Sequence, residues 1–278
     1  MANSSVNQAT ITRFNQGISE SSPDLLAVEE PLEIRLEYGS ANDRKEQTLS
    51  ITMRTPGHDE ELTAGFLWTE GLIHSAEDIG SIRHCLTEET NNVIKAIIKP
   101  SAKVDINKLT RHFYTSSSCG VCGKTSMEAV IQSSKFQIPL GTPKVDRDKL
   151  YGLPQTMREQ QLIFEHTGGL HASGLFDPNG ELILLREDVG RHNALDKLIG
   201  SMLLNNKLPL FDHVLLVSGR ASFELVQKAS MAGIPILVAV GAPSSLAVDL
   251  ANKTGITLVG FLRSNKFNLY TGAERVLP

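Results

Sequence analysis

Cysteine is scarce in this 278-residue chain, which carries only Cys85, Cys119 and Cys122. Three thiols cannot build a disulfide framework for a chain of this length, so a hydrophobic core must hold the fold. Aromatic residues are also sparse, at 5% with one tryptophan. No apolar run approaches the roughly 18–20 residues that span a bilayer, which argues against a membrane helix. Charge of one sign is missing as well: the formal net charge is -4 and the isoelectric point lies near 6.1. That balance gives no basic field to attract phosphate backbones, so nucleic acid is not an expected partner. What is present, 41% hydrophobic and 21% charged residues with 22 Gly and 12 Pro, excludes a disordered, collagenous or coiled-coil chain. The N-terminus lacks the basic-then-apolar layout of a secretion signal, and the expectation is a cytoplasmic protein without a membrane segment.

The chain divides by pattern into four stretches. Residues 1–25, rich in Ser and Asn, read as a flexible arm or an irregular lead-in strand. Over 26–110, PLEIRLEYG and QTLSITMRT alternate apolar and polar residues around the turn-prone SANDRK, which predicts a hairpin. A helix is predicted over HDEELTAGFLWTEGLI, then strands at SIRHCL and NNVIKAIIK, making a small α+β domain. Residues 111–150 contain TSSSCGVCGKTS, small and glycine-rich, read as a mobile loop. MEAVIQSS is read as a short helix and IPLGTPKVDRDKLYGLP as a linker. From 151 to 278 a helix near 155–164 and a hairpin across DPNG precede near-continuous apolar strands that alternate with amphipathic helices. That alternation predicts an α/β domain with a mixed, mostly parallel sheet.

The pair Cys119-Gly-Val-Cys122 is the sharpest local signal, and several readings compete for it. A structural zinc site needs a second closely spaced ligand pair, and only Cys85, His84 and His112 are on offer. A thioredoxin-type redox pair belongs at a strand-to-helix junction, unlike this serine-preceded loop. A P-loop requires a leading glycine where Ser118 stands. Zinc deaminases need H-x-E followed by P-C-x-x-C, whereas His171-Ala-Ser173 has no Glu and the CxxC lacks its proline, so no metal site is expected. An inert exposed loop is the bland alternative. A thiol that carries sulfur between partners wants a flexible tether of small residues, which this loop provides.

Elsewhere, HTGGLHASG and REDVGRHNALDK crowd His171, Arg191, His192, Asp188, Asn193 and Asp196 near glycine turns. They read either as a polar cleft at strand ends or as a solvated helix start, with Asp188 or Asn193 capping and Asp196 and Lys197 exposed. Two strand-to-helix turns, VSGRASFE and VGAPSSLA, offer Ser218, Gly219, Arg220, Gly241, Ser244 and Ser245 to anions at helix N-termini. Simple capping by Ser222 and Ser244 is the competing reading. FLRSNKFN sets Arg263 and Lys266 past the last core strand.

Together SSSCGVCGK, HTGGLHASGLF, REDVGRHNALDKLIG, SGRASFELVQKA, GIPILVAVGAPSSLAVDLA and TLVGFLRSNKFNLYTG, in order over roughly 30–275, resemble the formate dehydrogenase accessory family FdhD. The resemblance implies a cytoplasmic sulfur carrier that takes sulfur from a cysteine desulfurase as a persulfide. It implies delivery to the bis(molybdopterin guanine dinucleotide) form of the molybdenum cofactor, for formate dehydrogenase. It places the persulfide on Cys119 and gives Cys122 as the second cysteine. It assigns Phe261, Leu262, Arg263, Ser264, Asn265 and Lys266 to the cofactor, with Lys266 standing where Arg is usual and so losing a planar fork. It also implies a cytidine-deaminase-like α/β domain with a smaller domain, assembled as a homodimer. The alternatives are a cofactor-binding chaperone without sulfur transfer and a thiol-disulfide oxidoreductase.

Overall fold

The computed structural model describes residues 5–85, 92–104 and 135–278. Cys119, Cys122, the cysteine loop and the short helix expected after it lie outside the described residues.

Where a flexible arm or an irregular lead-in strand was expected, β1 (Val6–Asn15) and β2 (Ile18–Ala27) form a regular antiparallel hairpin. Its turn is Gln16-Gly17, both at positive φ (48° and 86°), the conformation that tight hairpin turns demand. The polar composition hid the strands, and the turn residues were the missed signal.

The predicted second hairpin is β3 (Glu30–Ser40) with β4 (Asp43–Arg54). Its alternation is one-sided burial: Leu32, Ile34, Leu36 and Tyr38 face the core while Glu33, Arg35 and Glu37 do not. Helix α1 (Asp59–Thr69) leads to β5 (Ile79–His84) and β6 (Val93–Ile98), and the four-strand sheet has the order β4-β3-β6-β5.

The expected linker is partly helix. After β7 (Val145–Asp146), α2 runs from Arg147 to Gln160, capped by Asp146, which accepts from the Asp148 N–H at 2.8 Å. It tolerates Pro154 because Leu150, Leu153 and Met157 are buried along one face, so packing outweighs the lost backbone bond. A short α3 (Leu162–Thr167) precedes the main sheet.

That sheet orders β13-β12-β11-β10-β8-β9, from β8 (His171–Phe176), β9 (Leu182–Asp188), β10 (Val214–Val217), β11 (Ile236–Ala239), β12 (Thr257–Arg263) and β13 (Lys266–Thr271). It is mixed, but not mostly parallel: parallel pairing is confined to β10, β11 and β12. The short turns after β8 and β12 force hairpins, which are antiparallel by construction. Helices α4 (Arg191–Leu204), α5 (Phe223–Met231) and α6 (Ser245–Thr254) alternate with the parallel strands. Finally β14 (Val276–Leu277) pairs with β7.

One cluster of buried side chains runs from Leu32, Ile34 and Leu62 to Leu195, Leu198 and Leu237, joining the two sheets. The joint is α1 against α4, at backbone contact: a Cβ on Gly65 would stand 1.9 Å from the Asp196 carbonyl oxygen, and one on Gly200 1.8 Å from that of Glu61. Glycine is required at both positions. Among the described residues, no helix is long and apolar enough to cross a membrane.

Candidate functional site

Parallel strands that end at one edge release their chains there into turns, where ligands of open α/β sheets bind. The turns after β10 and β11 and the end of β12 are tied together. The Gly241 N–H donates to the Gly219 carbonyl (2.9 Å), the Phe261 N–H to the Gly241 carbonyl (3.0 Å), and the Ser244 N–H to the Ala221 carbonyl (3.0 Å). A Cβ on Gly241 would lie 2.9 Å from both Arg220 Cα and the Gly219 oxygen, so only glycine allows this approach.

The predicted turn residues divide by use. The Ser218 hydroxyl accepts from the Ala172 N–H at 2.9 Å and pins its turn to β8. The Ser244 hydroxyl accepts from the Ala247 N–H at 3.2 Å and caps α6, as the plain capping reading has it. Ser222 makes no cap and its hydroxyl lies 3.3 Å from His192 Nε2 instead. Arg220 is exposed. Phe261 sits at φ 54°, a left-handed conformation rare for a bulky side chain. That kink accompanies the register shift before Arg263, exposing the Phe261 ring while Leu262 anchors in the core. Arg263 Nη1 donates to the Val240 carbonyl at 2.7 Å. Ser264 and Asn265 form the turn into Lys266, all exposed.

His171, Arg191 and His192 adjoin these turns. The Gly219 position lies against the His171 ring, with an added Cβ 3.4 Å from its Nδ1 and 3.9 Å from Arg191 Cδ. Arg191 Nε is buried without a hydrogen-bond partner among the described residues, a donor left for something else. Burial, then the Arg191 charge, holds the His171 imidazole below its ordinary value, with Asp188 opposing. His192 falls to about 4, first through burial and then through Lys228 and Arg191, with Glu224 opposing. Both rings are therefore neutral near pH 7.

The same segment contains a rigid clamp. Lys197 Nζ meets Asp188 at 2.7 Å with both side chains essentially inaccessible, and it donates to the Thr55 carbonyl at 2.8 Å. Asp188 also accepts from the Gly190 N–H (2.8 Å) and Asn193 Nδ2 (3.1 Å), and Asn193 Nδ2 reaches the Met53 carbonyl (2.8 Å). Asp196 pairs with Lys228 at 2.8 Å and accepts from the Thr69 hydroxyl at 2.9 Å. Asp196 and Lys197 are buried, which overturns the solvated-face reading of this helix start. The two core-facing carboxylates stay because each is paired.

Between β4, α1 and the starts of α4 and α5 lies a cavity of about 500 Å³. His171, Arg191 and His192 are among the residues that line it. Sequence reasoning missed Glu224, Gln227 and Lys228, three of its further polar residues. Their i, i+3, i+4 spacing along α5 was the available signal, since it places all three on one helix face. Among the described residues, no group of three or more His, Cys, Asp or Glu is placed to hold a metal ion.

Residues 27–277 match the FdhD/NarQ family. The chain belongs to that family. It is 50% identical to the sulfur carrier protein FdhD of Streptomyces coelicolor, over 96% of this chain and 94% of that one. It is 49% identical to the protein of that name from Mycolicibacterium paratuberculosis, over 96% and 97%, and 44% identical to that of Sulfurisphaera tokodaii, over 91% and 92%. A crystal structure from Desulfotalea psychrophila, described as a candidate formate dehydrogenase accessory protein, superposes with a TM-score of 0.74 at 26% identity. The superposition covers 98% of this FdhD/NarQ chain and 99% of the other.

Proposed function

We propose that this protein is a cytoplasmic sulfur carrier that accepts sulfur from a cysteine desulfurase on Cys119 and delivers it to the bis(molybdopterin guanine dinucleotide) molybdenum cofactor, for use by formate dehydrogenase. The relatives named sulfur carrier protein FdhD, near 50% identical over nearly the whole chain, support the carrier role. The observation that carries the cofactor half is the convergence of the turns at Gly219, Gly241 and Phe261 beside an orphaned arginine donor.

The residues fit an anionic cargo. Arg191 Nε offers an unused N–H, and the neutral His171 and His192 offer hydrogen bonds without adding charge. Arg220 and Lys266, both exposed at the same rim, supply positive charge for phosphates. In the loading step the Cys119 thiolate attacks the outer sulfur of the desulfurase persulfide. A sulfur–sulfur bond forms on Cys119 and the desulfurase cysteine leaves as thiolate. A homodimer and a cytidine-deaminase-like scaffold belong to the same reading, and the β9-β8-β10-β11-β12 order supports the second.

Loading the purified protein with a cysteine desulfurase and cysteine, then weighing it intact, tests the proposal. A gain of one sulfur is expected, removed by a reductant and missing in Cys119→Ser. An adduct that persists in the variant overturns the assignment to Cys119.

A further inference from the structure

The β1–β2 hairpin is built as an arm. The Val28 N–H donates to the Ser5 carbonyl at 3.0 Å and closes its base, and the Ser5 hydroxyl donates to the Pro56 carbonyl at 2.9 Å and ties that base to the body. From there two ten-residue strands run for about 30 Å, at roughly 3.3 Å per residue. β2 packs on α3, yet seven residues of each strand are exposed. At the tip, Phe14 and Ile18 are 77% and 70% exposed. The register sets Phe14 opposite Ser19 and Asn15 opposite Ile18, so the two apolar side chains stand on opposite faces of the ribbon. A two-stranded ribbon is marginally stable alone in water, and an arm of this length with an apolar tip needs a surface to lie on.

The body carries a groove of about 450 Å³ that suits such a tip. Leu162 and Ile163 of α3 and Leu182, Ile183, Leu184 and Leu185 of β9 line it, and Leu162 and Ile183 are 64% and 46% exposed. β9 is the outer strand of the six-strand sheet, and no further strand pairs with it among the described residues, so it offers an edge to another chain. Ser5 and Pro56 line the same groove, which places the root of the arm at its rim.

The arm cannot fill its own groove, because a ribbon rooted at the rim carries its tip about 30 Å away. A second copy related by a two-fold axis can fill it. Two arms lying antiparallel across that axis bring each tip to the root of the other, where the other's groove lies, and the exchange closes at two copies. Two ten-residue strands per copy match the roughly 20–30 residues a side of a standard interface.

We propose that two copies of this chain exchange their β1–β2 arms, with Phe14 and Ile18 of each seated in the groove between α3 and β9 of the other. This gives the homodimer of the reading above an interface and rests on that part of the reading alone.

Sedimentation equilibrium of the full-length protein tests it, with two double variants: Phe14→Ser with Ile18→Thr at the tip, and Leu162→Ser with Ile183→Thr in the groove. All four positions are exposed, and thermal unfolding confirms that each variant is folded. Wild type is expected to sediment as a dimer, and each double variant to dissociate at least tenfold more readily. An equimolar mixture of the two variants is expected to dimerise more tightly than either alone, because the mixed pair keeps one intact tip facing one intact groove. A mixture no tighter than its components, or variants within twofold of wild type, overturns the arm exchange while the homodimer stands. A wild type that stays monomeric overturns both.

Discussion

Two halves of one segment, residues 186–197, are built on opposite principles. Asp188, Asn193 and Lys197 are buried and fully engaged: every charge has a partner and the Asp188 carboxylate accepts from several donors. Arg191 and His192, on the same first turn of α4, are left short. One has a buried Nε with no partner, and the other is an imidazole kept neutral among positive neighbours. A satisfied buried network holds its position, and an unsatisfied donor costs free energy unless a ligand completes it. The clamp fixes the helix start so that the incomplete side chains stand beside the converging turns.

Breaking the clamp gives the largest expected effect. Lys197→Met strands the Asp188 carboxylate in the core and is expected to cost about 3–5 kcal/mol in urea unfolding. A loss below about 1 kcal/mol would show that the network is not structural. Next is His192. Its folded pKa of about 4 lies below the ordinary 6.5, so protonation opposes folding. Its contribution is complete above about pH 6.5 and is lost as pH falls toward 4, by about 3 kcal/mol at most. Imidazole NMR resonances are expected to stay flat from pH 8 to about 5.5, and an inflection near pH 6.5 would place His192 with the exposed histidines. Smallest are the two serines at helix starts. Ser244→Ala removes a cap and is expected to cost about 1 kcal/mol. Ser222→Ala, which removes no cap, is expected to stay within about 0.5 kcal/mol by thermal unfolding.

Strands and helices with strong period were legible in the sequence, from β3 and β4 through the alternating elements after β10, because burial on one face writes itself into the spacing. The N-terminal hairpin was not, since its two strands are mostly exposed and carry few apolar residues to mark them. The linker reading failed at α2 because Pro154 outweighed the Leu150, Leu153, Met157 stripe. Among site residues, the glycine and serine turns were readable from composition. Their convergence depends on long-range backbone bonds such as Gly241 to Gly219, which no local pattern encodes. The same holds for Glu224 and Gln227, which share a cavity with residues of α1 and β4 only through the tertiary fold. The burial of Asp196 and Lys197 reversed the sequence-based expectation because their partners, Lys228 and Asp188 with Thr55, come from other elements.

In the function proposed above, the incomplete half of this segment takes the phosphates of a guanine-bearing cargo. Calorimetric titration of guanosine diphosphate into wild type and Arg191→Ala tests it most directly, with the unfolding midpoint of each protein measured alongside. The account predicts at least tenfold weaker binding in the variant with little change in the midpoint. Equal affinity in the two proteins would contradict it.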